Sequence, residues 1–339
     1  MSIATSTREV GFRNVYEKLN AHLTKANSCL NKLTLLNEKE LDQVNLTSIA
    51  KEIQKVETLS KNILYKRLSS WFTDNTRLPY IIILGKPGGG KSSFSKMLSK
   101  QYGYVHLSIG DIHRGENEAG TQIGLKIREC VQRKDFFGSE MVKMTKQLLD
   151  KRFEEIFNKN QRFILDNFPT SSCYLPYINS VFNKNNLNNK TILIVPEVTN
   201  QEAIKRILGR IVCPKRNCSS IYNLNNKKFS PKNTQGLCDE CGSILRKRID
   251  EKATGPKGQS TIGETKFKIY RKHIQPVIDV ISKKKGLEVF FIDSSDLWNL
   301  FSGKQVSKRR KSAYRYLQYT AYCLPILIAL GGVFAYKSS

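Results

Sequence analysis

Acidic side chains are scarce in this 339-residue sequence, with 29 Asp+Glu against 56 Lys+Arg and a formal net charge of +27. The excess of cations is compatible with phosphate-bearing partners, with an anionic membrane surface, or with a solvated lysine-rich face. No apolar stretch of the signal-peptide kind opens the chain, which argues against a secretory leader and predicts a reducing compartment for the main body. No regular interleaving of aromatics with lysines is visible and no nucleic-acid-binding module is recognisable, so nucleic acid is not an expected partner. The cysteines are too unevenly placed for a disulfide framework. Cys29, Cys130, Cys173 and Cys323 are scattered, whereas Cys213, Cys218, Cys238 and Cys241 share one short stretch, a distribution that favours metal over bridges.

What remains is a chain that is 40% hydrophobic, enough for a substantial core and about two domains. Residues 1–76 are polar with apolar residues at helical spacing (Val15, Leu19, Leu23, then Leu30, Leu33, Leu36) and read as a helical region, a packing or partner surface rather than a site. Over 77–303, short apolar runs at 79–84, 104–107, 163–166, 191–195 and 287–292 alternate with helical or inserted segments. That alternation predicts a three-layer α/β/α domain on a parallel sheet. About residues 211–261 the pattern breaks into Lys, Asn, Gly, Pro and Cys, which predicts an inserted subdomain.

The strongest motif is Gly85-Lys86-Pro87-Gly88-Gly89-Gly90-Lys91-Ser92, which satisfies G-x-x-x-x-G-K-[ST] and lies between a buried strand and a helix. Glycines let successive backbone N–H groups turn onto phosphate oxygens, and the helix N-terminus adds a positive dipole end. Lys91 then reaches the β/γ oxygens of an ATP-like nucleotide, Ser92 can hold Mg²⁺, and Ser93 is a further nucleotide-binding candidate. Asp166 ends the strand at 163–166 with a carboxylate at the sheet edge that faces the phosphates, the expected holder of a metal ion or water. Cys213, Cys218, Cys238 and Cys241 form two close pairs separated by a loop, as a closed structural Zn²⁺ site requires; a redox pair or unconnected thiols are the alternatives.

At the C-terminal end a basic segment at 304–315, including Lys308, Arg309, Arg310, Lys311 and Arg315, precedes residues 316–336, which carry no charge. As a helix that stretch would span about 30 Å, the hydrocarbon thickness of a bilayer. It predicts a transmembrane tail anchor in an intracellular membrane with the main body cytosolic; a terminal helix buried against the body is the alternative.

In this order the motifs resemble those of adenylate kinases and the wider nucleoside monophosphate kinase family, over roughly residues 78–296. The phosphate loop, the stretch 102–111 ending in Gly110-Asp111 with Arg114, and 163–169 look like the family's first half; 207–215 and 238–242 look like its zinc-bearing long lid. The resemblance implies transfer of the γ-phosphoryl of ATP to a nucleoside monophosphate, with Mg²⁺ and a closing lid. By motif position Arg206, Arg210 and Arg248 match catalytic lid arginines, Asp250 and Glu251 match the following acidic pair, and Asp111 and Arg114 match acceptor-binding residues. The departures cluster on the acceptor side: Ile109 stands for a threonine, Asn167 for a glycine, Thr170 for an arginine and Tyr174 for a base-reading glutamine, while Glu264 aligns with a further catalytic arginine. These departures leave two readings, an active membrane-tethered kinase and an ATP-binding, catalytically weakened relative. In the second, nucleotide occupancy signals to a protein partner held by the N-terminal helices.

Overall fold

The computed structural model describes residues 46–74, 78–215, 218, 220–232, 235–247, 264–284 and 286–302. Five expectations lie outside them: the helical spacing at 1–45, Arg248, the acidic pair Asp250 and Glu251, the basic segment 304–315 and the apolar stretch 316–336. Among the described residues no helix is long and apolar enough to cross a membrane. The chain divides into two units, residues 1–70 with 305–339, and residues 71–304. In the first, the described element is helix α1 (Leu46–Ser70), within the region expected to be helical.

The second unit is built on β1 (Tyr80–Ile83), β2 (Val105–Ser108), β3 (Phe163–Asp166), β4 (Thr191–Glu197) and β7 (Glu288–Asp293), paired in the order β2-β3-β1-β4-β7 and all parallel. The central strands are unbroken apolar runs because both faces of the sheet are covered. Alternate residues serve opposite layers. Tyr80, Ile82 and Leu84 share a core with Leu149 and Phe153 of α5 (Ser139–Asn158), Ile178 of α6 (Leu175–Lys184) and Val277 and Ile278 of α8 (Gln275–Ile281). Ile81 and Ile83 are equally buried and point the other way. On that side α2 (Lys91–Tyr102) contacts β2 and β3, and α9 (Ser294–Phe301) contacts β4 and β7. Each large aliphatic side chain removed from water contributes roughly 1.5–3 kcal/mol, so this doubly covered sheet is the main source of stability.

Helix starts follow side-chain caps. Ser108 accepts the Asp111 N–H before α3 (Ile109–Glu118), Thr121 accepts that of Gly124 before α4 (Gln122–Gln132), and Thr199 accepts that of Glu202 before α7 (Asn200–Leu208). Helix α2 has no such cap: it begins after Gly90 at φ 81°, with no side-chain hydrogen bond to its first amides. From α7 the chain enters the insert, where β5 (Arg210–Val212) and β6 (Ile221–Asn223) form an antiparallel pair. The parallel α/β core is thus the one that the alternation of apolar runs predicts.

Candidate active site

The glycine loop joins the end of β1 to the start of α2, and its conformation depends on having no side chain at certain points. Gly88 has φ +79°, and a Cβ there would lie 2.5 Å from the Ala203 carbonyl oxygen, because α7 presses directly on the loop. Gly90 has φ +81° but open space around it. Gly88→Ala is therefore expected to lose about 2–4 kcal/mol of stability, from backbone strain plus overpacking, and Gly90→Ala only about 1 kcal/mol. Denaturant unfolding of the two variants checks this order. Lys86, inside the motif, turns away from the loop centre and donates to Asn200 Oδ1 at 2.7 Å and the Val198 carbonyl at 3.2 Å, bracing the loop on the start of α7.

Lys91 points into the loop, where its Nζ donates to the carbonyls of Gly85 at 2.8 Å and Lys86 at 3.0 Å. Burial pushes its pKa down to about 8; the Asp166 charge pulls up, and the Arg210 and Lys266 charges push further down. Lys91 thus loses its charge in the free protein as pH rises through about 8, whereas a bound polyphosphate would favour the charged form. Nucleotide binding above that pH is expected to take up a proton and to weaken by up to about tenfold per pH unit. Calorimetry in two buffers of different ionisation enthalpy measures both.

Asp166 is buried at the end of β3, beside Ile83 in the register. Its Oδ2 lies 2.9 Å from His106 Nε2, and its Oδ1 has no hydrogen-bond partner among the described residues. Burial alone would raise the Asp166 pKa, but His106, then Ser92 and Lys91, hold it below the usual carboxylate range. A buried ionised oxygen without a donor suits a cation or an ordered water, so the site fits Mg²⁺.

Two of the arginines expected at the lid base lie near the same loop. Arg206 of α7 pairs with Glu202 through Nε at 2.9 Å, and its Nη1 donates to Ser294 Oγ at 2.7 Å and reaches the Gly88 carbonyl at 3.5 Å. Arg210, the first residue of β5, is close enough for its charge to act on Lys91. Lys91, Asp166 and Arg206 thus border one loop, with the Arg210 charge acting on its lysine. Sequence reasoning missed Lys266: the aligned Glu264 is exposed, while half-buried Lys266, two residues on, contributes to the field at Lys91.

Of the residues expected to bind an acceptor, Arg114 pairs with Asp111 on α3. Burial would raise Asp111, but the Arg114 charge and hydrogen bond bring it below its ordinary value. Asn167 has φ 59° and donates its N–H to the Ile83 carbonyl at 2.8 Å, so it keeps the left-handed backbone that a glycine would supply. Ile109 and Tyr174 belong to the core, with Tyr174 only 2% exposed and edge-on to Phe168 at 4.9 Å. Tyr174 is thus a packing residue here. Thr170, half-buried on the loop after β3, brings no charge. His113, also missed, contacts Thr145 Oγ1 at 3.0 Å, and burial with the Arg114 charge lowers its pKa to about 4.

The four insert cysteines converge. Their sulfurs all lie within 4.8 Å of one another, with Cys213–Cys241 at 3.4 Å and Cys218–Cys238 at 3.5 Å. Tetrahedral thiolates about 2.3 Å from Zn²⁺ stand about 3.8 Å apart, so this donor set could hold the ion and is too widely spaced for disulfides. Contacts also tie the insert to the core: Phe229 meets Trp298 of α9 edge-on at 4.7 Å, and Lys228 Nζ donates to Asn299 Oδ1 at 3.2 Å.

Comparison with known proteins matches residues 83–286 to the family model described as adenylate kinase. The adenylate kinase of Ruminiclostridium cellulolyticum is 31% identical over 209 residues, 62% of this chain and 90% of that protein. That of Thermotoga petrophila is 32% identical over 208 residues, 61% of this chain and 87% of that protein. That of Mycoplasma mobile is 31% identical over 215 residues, 63% of this chain and 91% of that protein.

Proposed function

Since the chain belongs to the adenylate kinase family, we propose that it is a membrane-tethered phosphotransferase that moves the γ-phosphoryl of ATP to a nucleoside monophosphate. The observation that carries this reading is the convergence of Lys91, Arg206 and the orphaned Asp166 oxygen on one glycine loop, within reach of the Arg210 charge. In this proposal the amides of 85–92 and the Lys91 ammonium hold the triphosphate. Ser92 and Asp166 would hold Mg²⁺ directly or through water, Ser93 would add to the nucleotide contacts, and the ion would neutralise charge on the phosphate oxygens. Arg206 and Arg210, with Arg248 from beyond the described residues, would stabilise the transferring group, and Asp111 and Arg114 would receive the monophosphate. Lys266 is a further candidate for that cationic shell. Zn²⁺ on Cys213, Cys218, Cys238 and Cys241 would staple an insert whose own apolar cluster is small. The domain limits, the tail anchor at 316–336, its cytosolic-facing body and the partner role of residues 1–76 rest on the sequence pattern.

The test is diphosphate formation by purified protein with ATP and each of AMP, CMP, UMP, GMP and their deoxy forms. Turnover with at least one acceptor is expected. Diphosphate no greater than a Lys91→Ala control for every acceptor would reject the kinase reading. The second reading, a weakened ATP-dependent interaction module, is favoured by neutral Thr170 and by Tyr174 being buried in the core. It expects ATP binding with little transfer.

A further inference from the structure

The sulfurs of the insert are surrounded by hydroxyl groups that the metal-ligand pattern does not require. Ser220 Oγ lies 3.1 Å from Cys218 Sγ, Tyr222 Oη 3.5 Å from Cys238 Sγ, and Ser243 Oγ 3.3 Å from Cys241 Sγ. Three of the four sulfurs therefore have one hydroxyl each. Backbone amides add to this: Glu240 and Cys241 approach Cys238, Ser243 approaches Cys241, and Lys215 approaches Cys213.

Tyr222 is the informative member because its proton has one destination. The Tyr222 oxygen accepts the Asp239 N–H at 2.9 Å, and the hydroxyl is buried with Cys238 as its other partner. A metal-bound cysteine is a thiolate and has no proton to give, so the O–H must point at the sulfur. Serine hydroxyls can rotate to do the same. Tyr222 also sits on β6 opposite Ile211 of β5, while Cys238 and Asp239 belong to the other half of the insert. Its single hydroxyl therefore links the two halves that carry the two cysteine pairs.

Four thiolates on one divalent cation leave a net charge of about −2 in a partly buried site, and hydrogen bonds to sulfur spread that charge. We propose that Tyr222, with Ser220 and Ser243, forms a hydroxyl collar that positions the thiolates and sets how tightly the insert retains Zn²⁺. The proposal rests on the reading of the four cysteines as a zinc site. Tyr222 is a positioning residue: it touches a ligand and not the metal.

The experiment compares full-length wild type with Tyr222→Phe, which keeps the ring and removes only the hydroxyl, and with Ser243→Ala. Zn²⁺ affinity is measured by competition with a chromophoric chelator, and Co²⁺ replaces Zn²⁺ for absorption spectroscopy. The expected result is one Zn²⁺ in each protein at saturation, with affinity lowered about 10–100-fold in Tyr222→Phe and less in Ser243→Ala. The Co²⁺ bands of tetrahedral coordination should persist in Tyr222→Phe while the sulfur-to-metal charge-transfer bands move to lower energy. Changed packing alone would leave those bands in place. Affinity within twofold of wild type, with unmoved charge-transfer bands, would overturn the collar while leaving the zinc site standing. Wild type that binds no Zn²⁺ would overturn both. Should Tyr222→Phe not fold, Ser243→Ala decides by the same two readouts.

Discussion

Replacing Lys91 by alanine is expected to reduce phosphoryl transfer by at least about 10²–10³-fold, the usual effect of deleting one preorganised charge at a transferring group. The geometry makes the lysine difficult to replace. Its ammonium is already enclosed by the Gly85 and Lys86 carbonyls, 2.8 and 3.0 Å away, and stands beside buried Asp166. The other lysine of the loop cannot take over, because Lys86 is committed to Asn200 and the Val198 carbonyl. Removing Lys91 should also leave the Asp166 charge less compensated, which disfavours a polyphosphate further. The variant is expected to fold, since Lys91 is half-buried at a helix start with alanine-compatible backbone. Comparison of kcat with each acceptor, alongside a thermal melt, separates lost chemistry from lost structure.

Thr170→Arg is expected to act in the opposite direction. A guanidinium binds a phosphate in a bidentate fork that a threonine hydroxyl cannot reproduce, and such arginines are worth several powers of ten in rate. Thr170 is half-buried on the loop leaving β3, four residues after Asp166, and Asn167 keeps the left-handed turn that leads to it. The backbone of that loop is thus prepared even though the charge is absent. We expect kcat/KM for the monophosphate to rise about 10²-fold or more, with ATP affinity unchanged. No change despite intact ATP binding would mean that another cation already fills that role, or that transfer fails for a second reason such as buried Tyr174.

Much of this architecture was legible because β1, β3 and β4 are uninterrupted apolar runs, a pattern that a parallel sheet covered on both faces imposes. The loop was legible because Gly88 and Gly90 answer to local steric needs. What could not be read depends on contacts distant in sequence. His106 meets Asp166 across 60 positions, and Lys266 enters the field of Lys91 from beyond the insert. Asn167 looked like a lost glycine, yet asparagine tolerates the same φ. Ile109 and Tyr174 looked like altered substrate contacts, and only packing assigns them to the core.

The most direct measurement is an equilibrium titration of the purified protein with ATP, with and without Mg²⁺, at pH 7. Saturable uptake of one nucleotide per chain, abolished or weakened at least about a hundredfold in Lys91→Ala, is the result that the loop geometry requires. Folded protein that takes up no triphosphate, or that binds it equally well without the Lys91 ammonium, would contradict the assignment of the glycine loop as the donor site.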